Sequence, residues 1–189
     1  MNLGYENPSL LYRLIDEFGN NRLFSSMYKN YIRTLNLKGN EKVLDFGSGS
    51  GAGSRHLAKI LKQCGGHLTC IDISEYWIEK AKKRMKHYNN VDFLVGQLPE
   101  LKLRCKSFDV IYIFYALHDV SKDLRNGIVS EFFRILKNEG RLYIKEPQRE
   151  NDGMPISEII ELMKSNRFYK ENSITDKGTY SAVYRKISS

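Results

Sequence analysis

Residues 43–53 read VLDFGSGSGAG. A short apolar run ends beside Asp45, and glycine then alternates with serine over Gly47, Ser48, Gly49, Ser50 and Gly51. A glycine-rich turn between a strand and a helix lets a ligand lie against the backbone at the helix N-terminus, where the first amides have no partner within the helix. The stretch predicts a strand closing near residue 46, a tight turn, and then a helix with the apolar stripe Leu57, Ile60, Leu61 and Cys64.

The same alternation continues outward. Apolar runs predict strands at 41–46, 67–72, 91–95, 108–114 and 141–146. Two helices are expected ahead of them, over 8–18 and 22–36, separated by Gly19-Asn20-Asn21. A helix over 122–138 follows from Leu124, Ile128, Phe132 and Leu136, with Ser121 as its cap and Gly140 after its end. Another is expected over 156–166, and then a hairpin turning at Asp176-Lys177-Gly178. Strands that alternate with helices pair in parallel, and near-continuous apolar strands such as DVIYIF belong to a sheet covered on both faces. The fold class is α/β. There is no repeat, linker or low-complexity segment, so residues 1–189 read as one domain.

Two acids limit what the glycine turn could hold. Gly47 to Ala52 also satisfies the loose dinucleotide pattern, and Asp72 closes the second strand where an acid binds both hydroxyls of a ribose. An adenosine-type cofactor fits either way. Asp45 separates the alternatives, since a carboxylate at the strand end repels a pyrophosphate and attracts an ammonium group. S-adenosylmethionine has no phosphate and carries both an α-ammonium and a sulfonium, so Asp45 favours it over NAD, with a helix cap or loop anchor as the lesser alternative for Asp45.

VLDFGSGSG resembles motif I of the class I S-adenosylmethionine-dependent methyltransferases. CIDIS (70–74), FLVGQLPEL (93–101), SFDVIYIFYALHDV (107–120) and RILKNEGRLYIKEP (134–147) are similar to that family's later motifs, in the same order. The nearest group is the small-molecule enzymes related to quinone biosynthesis. The resemblance implies a doubly wound, Rossmann-like sheet of seven mainly parallel strands with helices on both faces and an antiparallel C-terminal strand. It implies a cofactor-binding core over 41–189 under a helical lid over 1–40. Asp45, Gly47, Ser48, Gly49 and Gly51 would line the methionine end of the cofactor, which leaves as S-adenosylhomocysteine. Asp72 would hold the ribose and Ile73 would pack on the adenine. Gln97, with Leu98 beside it, stands where the family often has an aspartate reaching the adenine amine. Phe114 and Tyr115 would lie near the sulfonium.

Methyl transfer is an in-line displacement that gains from alignment and needs a base only where the acceptor loses a proton. His118 and Asp119, after the fourth strand, are the candidates, and structural packing is the equal alternative for His118. Glu146, at the end of the fifth strand, is a candidate for orienting the acceptor, with a satisfied edge carboxylate as the favoured alternative. Of the aromatic residues of the first two helices (Tyr5, Tyr12, Phe24, Tyr28 and Tyr31), Phe24 and Tyr28 are the candidate acceptor walls. An aromatic face there could also attract the sulfonium.

The net charge of +8 raises nucleic acid as a partner. The densest basic stretch, 80–88, coincides with a helical pattern having Trp77, Ile78, Ala81 and Met85 on one face. Lys80, Lys82, Lys83 and Lys86 then form its solvated exterior, which favours a small-molecule acceptor over nucleic acid. A non-catalytic cofactor-binding module is the third alternative. Cys64, Cys70 and Cys105 lack CxxC spacing, so neither a disulfide framework nor a zinc site is expected. With no signal-peptide pattern and no run long enough to cross a bilayer, the expected location is the cytoplasm. The acceptor atom, the pathway and the oligomeric state do not follow from these residues.

Overall fold

The structure is a computed structural model that describes residues 24–148 and 153–187. The expected helix over 8–18, with Tyr5 and Tyr12, lies outside the described residues. Along the chain run α1 (Ser25–Thr34), β1 (Lys42–Phe46), α2 (Ser54–Leu61), β2 (His67–Asp72), α3 (Glu75–Arg84), β3 (Val91–Val95), β4 (Phe108–Phe114), α4 (Lys122–Ile135), β5 (Leu136–Pro147), α5 (Ile156–Ser165), β6 (Phe168–Asp176) and β7 (Thr179–Lys186). Short 3-10 turns occupy Leu98–Leu101 and Leu117–Asp119. The seven strands form one sheet in the order β3-β2-β1-β4-β5-β7-β6. Its parallel part and its antiparallel last strands match the expected fold class.

The chain divides into two compact units, up to Gln97 and from Leu98 onward. In the first, β1 pairs with β2 and β2 with β3, all in parallel. Val43, Leu44, Leu57, Ala58, Leu61, Leu68, Ile78 and Ala81 are fully buried there. The helix termini follow from local chemistry. Ser74 caps α3 by accepting the Trp77 N–H at 3.4 Å, with Glu75 in the first turn and Lys82, Lys83 and Arg84 in the last. Asn36, at φ 48, takes the left-handed conformation just past the end of α1. On α3, Ile78, Ala81 and Met85 face inward while Lys82, Lys83 and Lys86 are exposed, in line with the sequence pattern.

In the second unit β4 pairs with β5 in parallel, and β5 with β7 and β7 with β6 in antiparallel. The hairpin turns on Lys177 (φ 47) and Gly178 (φ 73), consecutive left-handed residues whose twist suits adjacent strands. Three expectations change. The helix over 122–138 stops at Ile135, because Leu136 is already extended, pairs with Phe108, and accepts a hydrogen bond on its carbonyl from Lys186 Nζ at 2.7 Å. Gly140 therefore sits inside β5, where a Cβ would stand 2.7 Å from Leu136 Cγ and 3.0 Å from the Asp109 carbonyl oxygen. The inward face of α4 is also rotated. Leu124 is 47% exposed and Arg125 is buried in its place, with Ile128, Val129, Phe132 and Ile135 behind it. Ser121 makes no side-chain cap; its carbonyl accepts the Leu124 N–H instead.

Candidate functional site

The turn after β1 is built from left-handed residues: Gly47 at φ 71, Gly49 at φ 51 and Gly51 at φ 77. Any other residue would be strained at these angles, and the turn depends on them. The amides of Gly47 and Ser48 both reach the Ile71 carbonyl, at 2.9 and 3.0 Å, and the Gly51 amide reaches that of Ser48 at 3.0 Å. Two of the glycines have different surroundings. A Cβ on Gly51 would lie 2.8 Å from Met85 Cε and 3.1 Å from Ala81 Cβ, so this glycine lets α3 pack on the loop. A Cβ on Gly49 would meet nothing within 4 Å. The open side of the loop is at Gly49.

Asp72 ties that loop to the end of β2. One carboxylate oxygen accepts the Gly49 N–H at 2.8 Å and the other the Ser74 N–H at 2.9 Å. Beside it Ile73 is 44% exposed, an apolar side chain left open at the strand end. Gln97 is exposed and Leu98 buried. Asp45 is only 3% exposed and accepts a hydrogen bond from Ser54 Oγ at 2.6 Å, which anchors the first turn of α2 from beneath the loop. Burial pushes its carboxyl up to about 7, against the pull of the Ser54 hydrogen bond and with a smaller push from the charge of Asp72. Ser48 Oγ is buried with no nitrogen or oxygen partner, and the buried Cys70 thiol lies within its reach. A buried hydroxyl, an open glycine, a carboxylate and an exposed isoleucine fit the polar and apolar ends of an adenosine-bearing amino acid.

α1 rests on this unit. The ring of Tyr28 lies over Gly53, where an added Cβ would be 3.0 Å from Tyr28 Cδ1. Ser25 Oγ accepts from Arg55 Nη2 at 2.9 Å and lies 3.3 Å from His56 Nε2. Phe24, just ahead of α1, is 41% exposed. Arg84 reaches the carbonyl and hydroxyl of Ser50 and so braces the loop from α3, a contact that no motif announces.

In the second unit the chain leaves β4 through Phe114 and Tyr115, whose rings lie 4.5 Å apart. Tyr115 has φ 54, a left-handed conformation that costs an aromatic residue about 1–2 kcal/mol. The next turn is held from two sides. Glu146, wholly buried on β5, accepts the amides of Ala116 at 3.2 Å and Leu117 at 2.8 Å on one oxygen. Its other oxygen is 2.6 Å from His118 Nδ1. The far nitrogen of the ring, Nε2, lies 3.2 Å from Asp119 Oδ1. Burial and three donors direct Glu146 at the turn and the imidazole. The sequence reading left acceptor orientation and a satisfied carboxylate both open for Glu146, because spacing along a strand does not reveal which donors surround its end.

On the other side Arg125 donates from Nε to the Val120 carbonyl at 2.8 Å, from Nη2 to the His118 carbonyl at 2.6 Å, and from Nη1 to Glu158 of α5 at 2.5 Å. The sequence reading missed Arg125, Glu158, Ser54 and Arg84. The one signal was an arginine next to an expected core position. Among the described residues no group of three or more His, Cys, Asp or Glu could hold a metal ion, and the three cysteines are free. No helix among them is long and apolar enough to cross a membrane.

Known proteins align with this geometry. A family model described as "Methyltransferase domain" matches residues 43–140. The chain is 34% identical over 116 residues to a demethylmenaquinone methyltransferase of Tropheryma whipplei, covering 60% of this chain and 45% of that one. It is 29% identical over 186 residues to a ubiquinone/menaquinone biosynthesis C-methyltransferase of Rickettsia bellii, covering 94% and 70%. A solved S-adenosylmethionine-dependent methyltransferase of Aquifex aeolicus superposes with a TM-score of 0.71 at 20% identity, over 85% of this chain and 89% of that one. The chain thus spans about half the length of the first of these relatives.

Proposed function

From the premise that this chain belongs to the class I S-adenosylmethionine-dependent methyltransferase family, we propose that it transfers a methyl group from S-adenosylmethionine to a small, partly apolar or aromatic acceptor. The observation that carries the reading is the glycine turn, open at Gly49, tied to Asp72, and holding the buried Ser48 hydroxyl. When bound, the cofactor supplies an electrophilic methyl on a cationic sulfur. The backbone of Gly47, Ser48 and Gly49 lies against the amino-acid end, while Gly51, packed on α3, shapes the turn. Asp45 keeps Ser54 in place from below, and its carboxyl, whose proton burial retains up to about pH 7, presents negative charge to the ammonium once that proton is released. Asp72 retains lone pairs for two ribose hydroxyls, and Ile73, Gln97 and Leu98 take the adenine.

His118 serves as the base for an acceptor that must lose a proton. Donation of Nδ1–H to Glu146 would leave the Nε2 lone pair, which lies 3.2 Å from Asp119 Oδ1, to take the acceptor's proton. Once the proton has moved to Nε2, Glu146 and Asp119 stabilise the imidazolium on its two sides. Glu146 is in this reading the orienter of the base. Quinone-biosynthesis relatives support a flat, apolar acceptor, and the free cysteines support the cytoplasm as its location. The basic exterior of α3 is solvated and does not serve as a nucleic-acid footprint.

Calorimetry with S-adenosylhomocysteine tests the cofactor reading, and tighter binding of NAD overturns it. Turnover on a panel of phenolic, quinol and amine acceptors tests the activity. Cofactor binding with no methylated product from any of them would favour a non-catalytic module. His118→Ala should lower turnover by about 100-fold with cofactor affinity retained.

A further inference from the structure

Arg125 occupies a core-facing position of α4 and is 5% exposed, while its neighbour Leu124 is 47% exposed. A leucine at that inward position would gain burial and avoid the desolvation of a guanidinium, so stability alone does not explain the arginine. What the arginine adds is geometry. Three of its nitrogens donate to three different acceptors: the carbonyls of His118 and Val120, and Glu158 on α5. Glu146 meanwhile takes the amides of Ala116 and Leu117 and the ring of His118. The turn from Ala116 to Val120 is thereby held by its donors from β5 and by its acceptors from α4, and His118 is the one residue held through both its ring and its carbonyl.

We propose that Arg125 is a positioning residue for the reaction, fixing the backbone of His118 and Val120 so that the imidazole keeps Nδ1 on Glu146 and presents Nε2 to the acceptor. This rests on the reading of His118 as the base. Two consequences distinguish it from a stabilising ion pair. A lysine is a single point donor and cannot reproduce the three-way fork, so charge alone should not rescue the function. Glu158, 25% exposed, sets the orientation of the guanidinium from the rim, and its loss should act in the same direction more weakly.

The experiment uses the full chain with its methyl donor and an acceptor identified by the panel. Arg125→Leu, Arg125→Lys and Glu158→Gln are compared with wild type in kcat, KM, cofactor Kd, folded fraction and the 15N spectrum of the His118 imidazole. For Arg125→Leu and Arg125→Lys, kcat per folded molecule should fall on the order of 10- to 100-fold, as misplacement of a catalytic group does, with cofactor Kd within about twofold. The His118 nitrogens should move from one fixed tautomer toward a mixture. Glu158→Gln, at the rim, should show a smaller change of the same kind and serves if the arginine variants fail to fold. An unchanged His118 spectrum with kcat that tracks only the folded fraction would overturn the proposal, as would full rescue by lysine. If His118→Ala leaves kcat intact, the base reading fails by itself, and the imidazole spectrum still reports whether Arg125 positions the ring.

Discussion

Gly49 and Gly51 stand two residues apart in one loop and should respond to an added methyl group in opposite ways. Both are left-handed, at φ 51 and φ 77, so alanine at either costs about 1–2 kcal/mol in backbone strain. At Gly51 the new Cβ also meets Ala81 Cβ at 3.1 Å and Met85 Cε at 2.8 Å. The Met85 methyl can swing aside but Ala81 is fixed in α3, so overpacking adds roughly another 1–2 kcal/mol. Gly51→Ala should therefore lose about 2–4 kcal/mol, a fall in Tm of roughly 5–15 °C for a chain of this size. At Gly49 the Cβ meets nothing within 4 Å, so only the strain remains and Tm should fall by no more than about 8 °C. That methyl would project from the open side of the loop, where the ligand is proposed to lie against the backbone, and cofactor Kd should rise by about tenfold or more, some 1.4 kcal/mol. Thermal melts and calorimetry on the two variants make the comparison. Wild-type affinity in Gly49→Ala, or a wild-type melt in Gly51→Ala, would refute the assignment of one glycine to ligand and the other to packing.

Asp72→Ala removes the acceptor of the Gly49 and Ser74 amides and the proposed ribose contacts, and should weaken cofactor binding by about 1.5–3 kcal/mol; calorimetry that finds no change takes Asp72 out of the site. Asp45, raised from 3.8 to about 7, keeps its proton in the fold where the unfolded chain has lost it, so its contribution is full below about pH 4 and is lost as pH rises through 7. Unfolding free energies from denaturant titrations across that window should fall by up to about 1.4 kcal/mol per pH unit from this group, and an equal slope in Asp45→Asn would show the carboxyl is not its source. Reversing Lys80, Lys82, Lys83 and Lys86 to glutamate should leave methyl transfer to the small acceptor unchanged; methylation of RNA at physiological salt that this change abolishes would establish the nucleic-acid alternative.

Periodicity and local chemistry alone determined the order of strands and helices. β2, β3 and β4 begin and end where the apolar runs do, and the hairpin turns at Lys177-Gly178 as the turn residues require. The glycine turn was legible because left-handed backbone leaves a composition signature, and Asp72 because it lies at a fixed distance along the same unit. Other features depended on residues far apart in sequence. The end of α4 is decided by the carbonyl of Leu136, which meets Lys186 only when β7 is in place. The tasks of Asp45 and Glu146 are decided by Ser54 and by the turn at 116–118, partners nine and about thirty residues away. Arg125 faces inward because three acceptors from two other segments gather there, and a helical repeat cannot encode acceptors it does not contain. Elements follow from neighbours along the chain, whereas the state and purpose of a buried charge follow from neighbours in space, and only the tertiary structure supplies those.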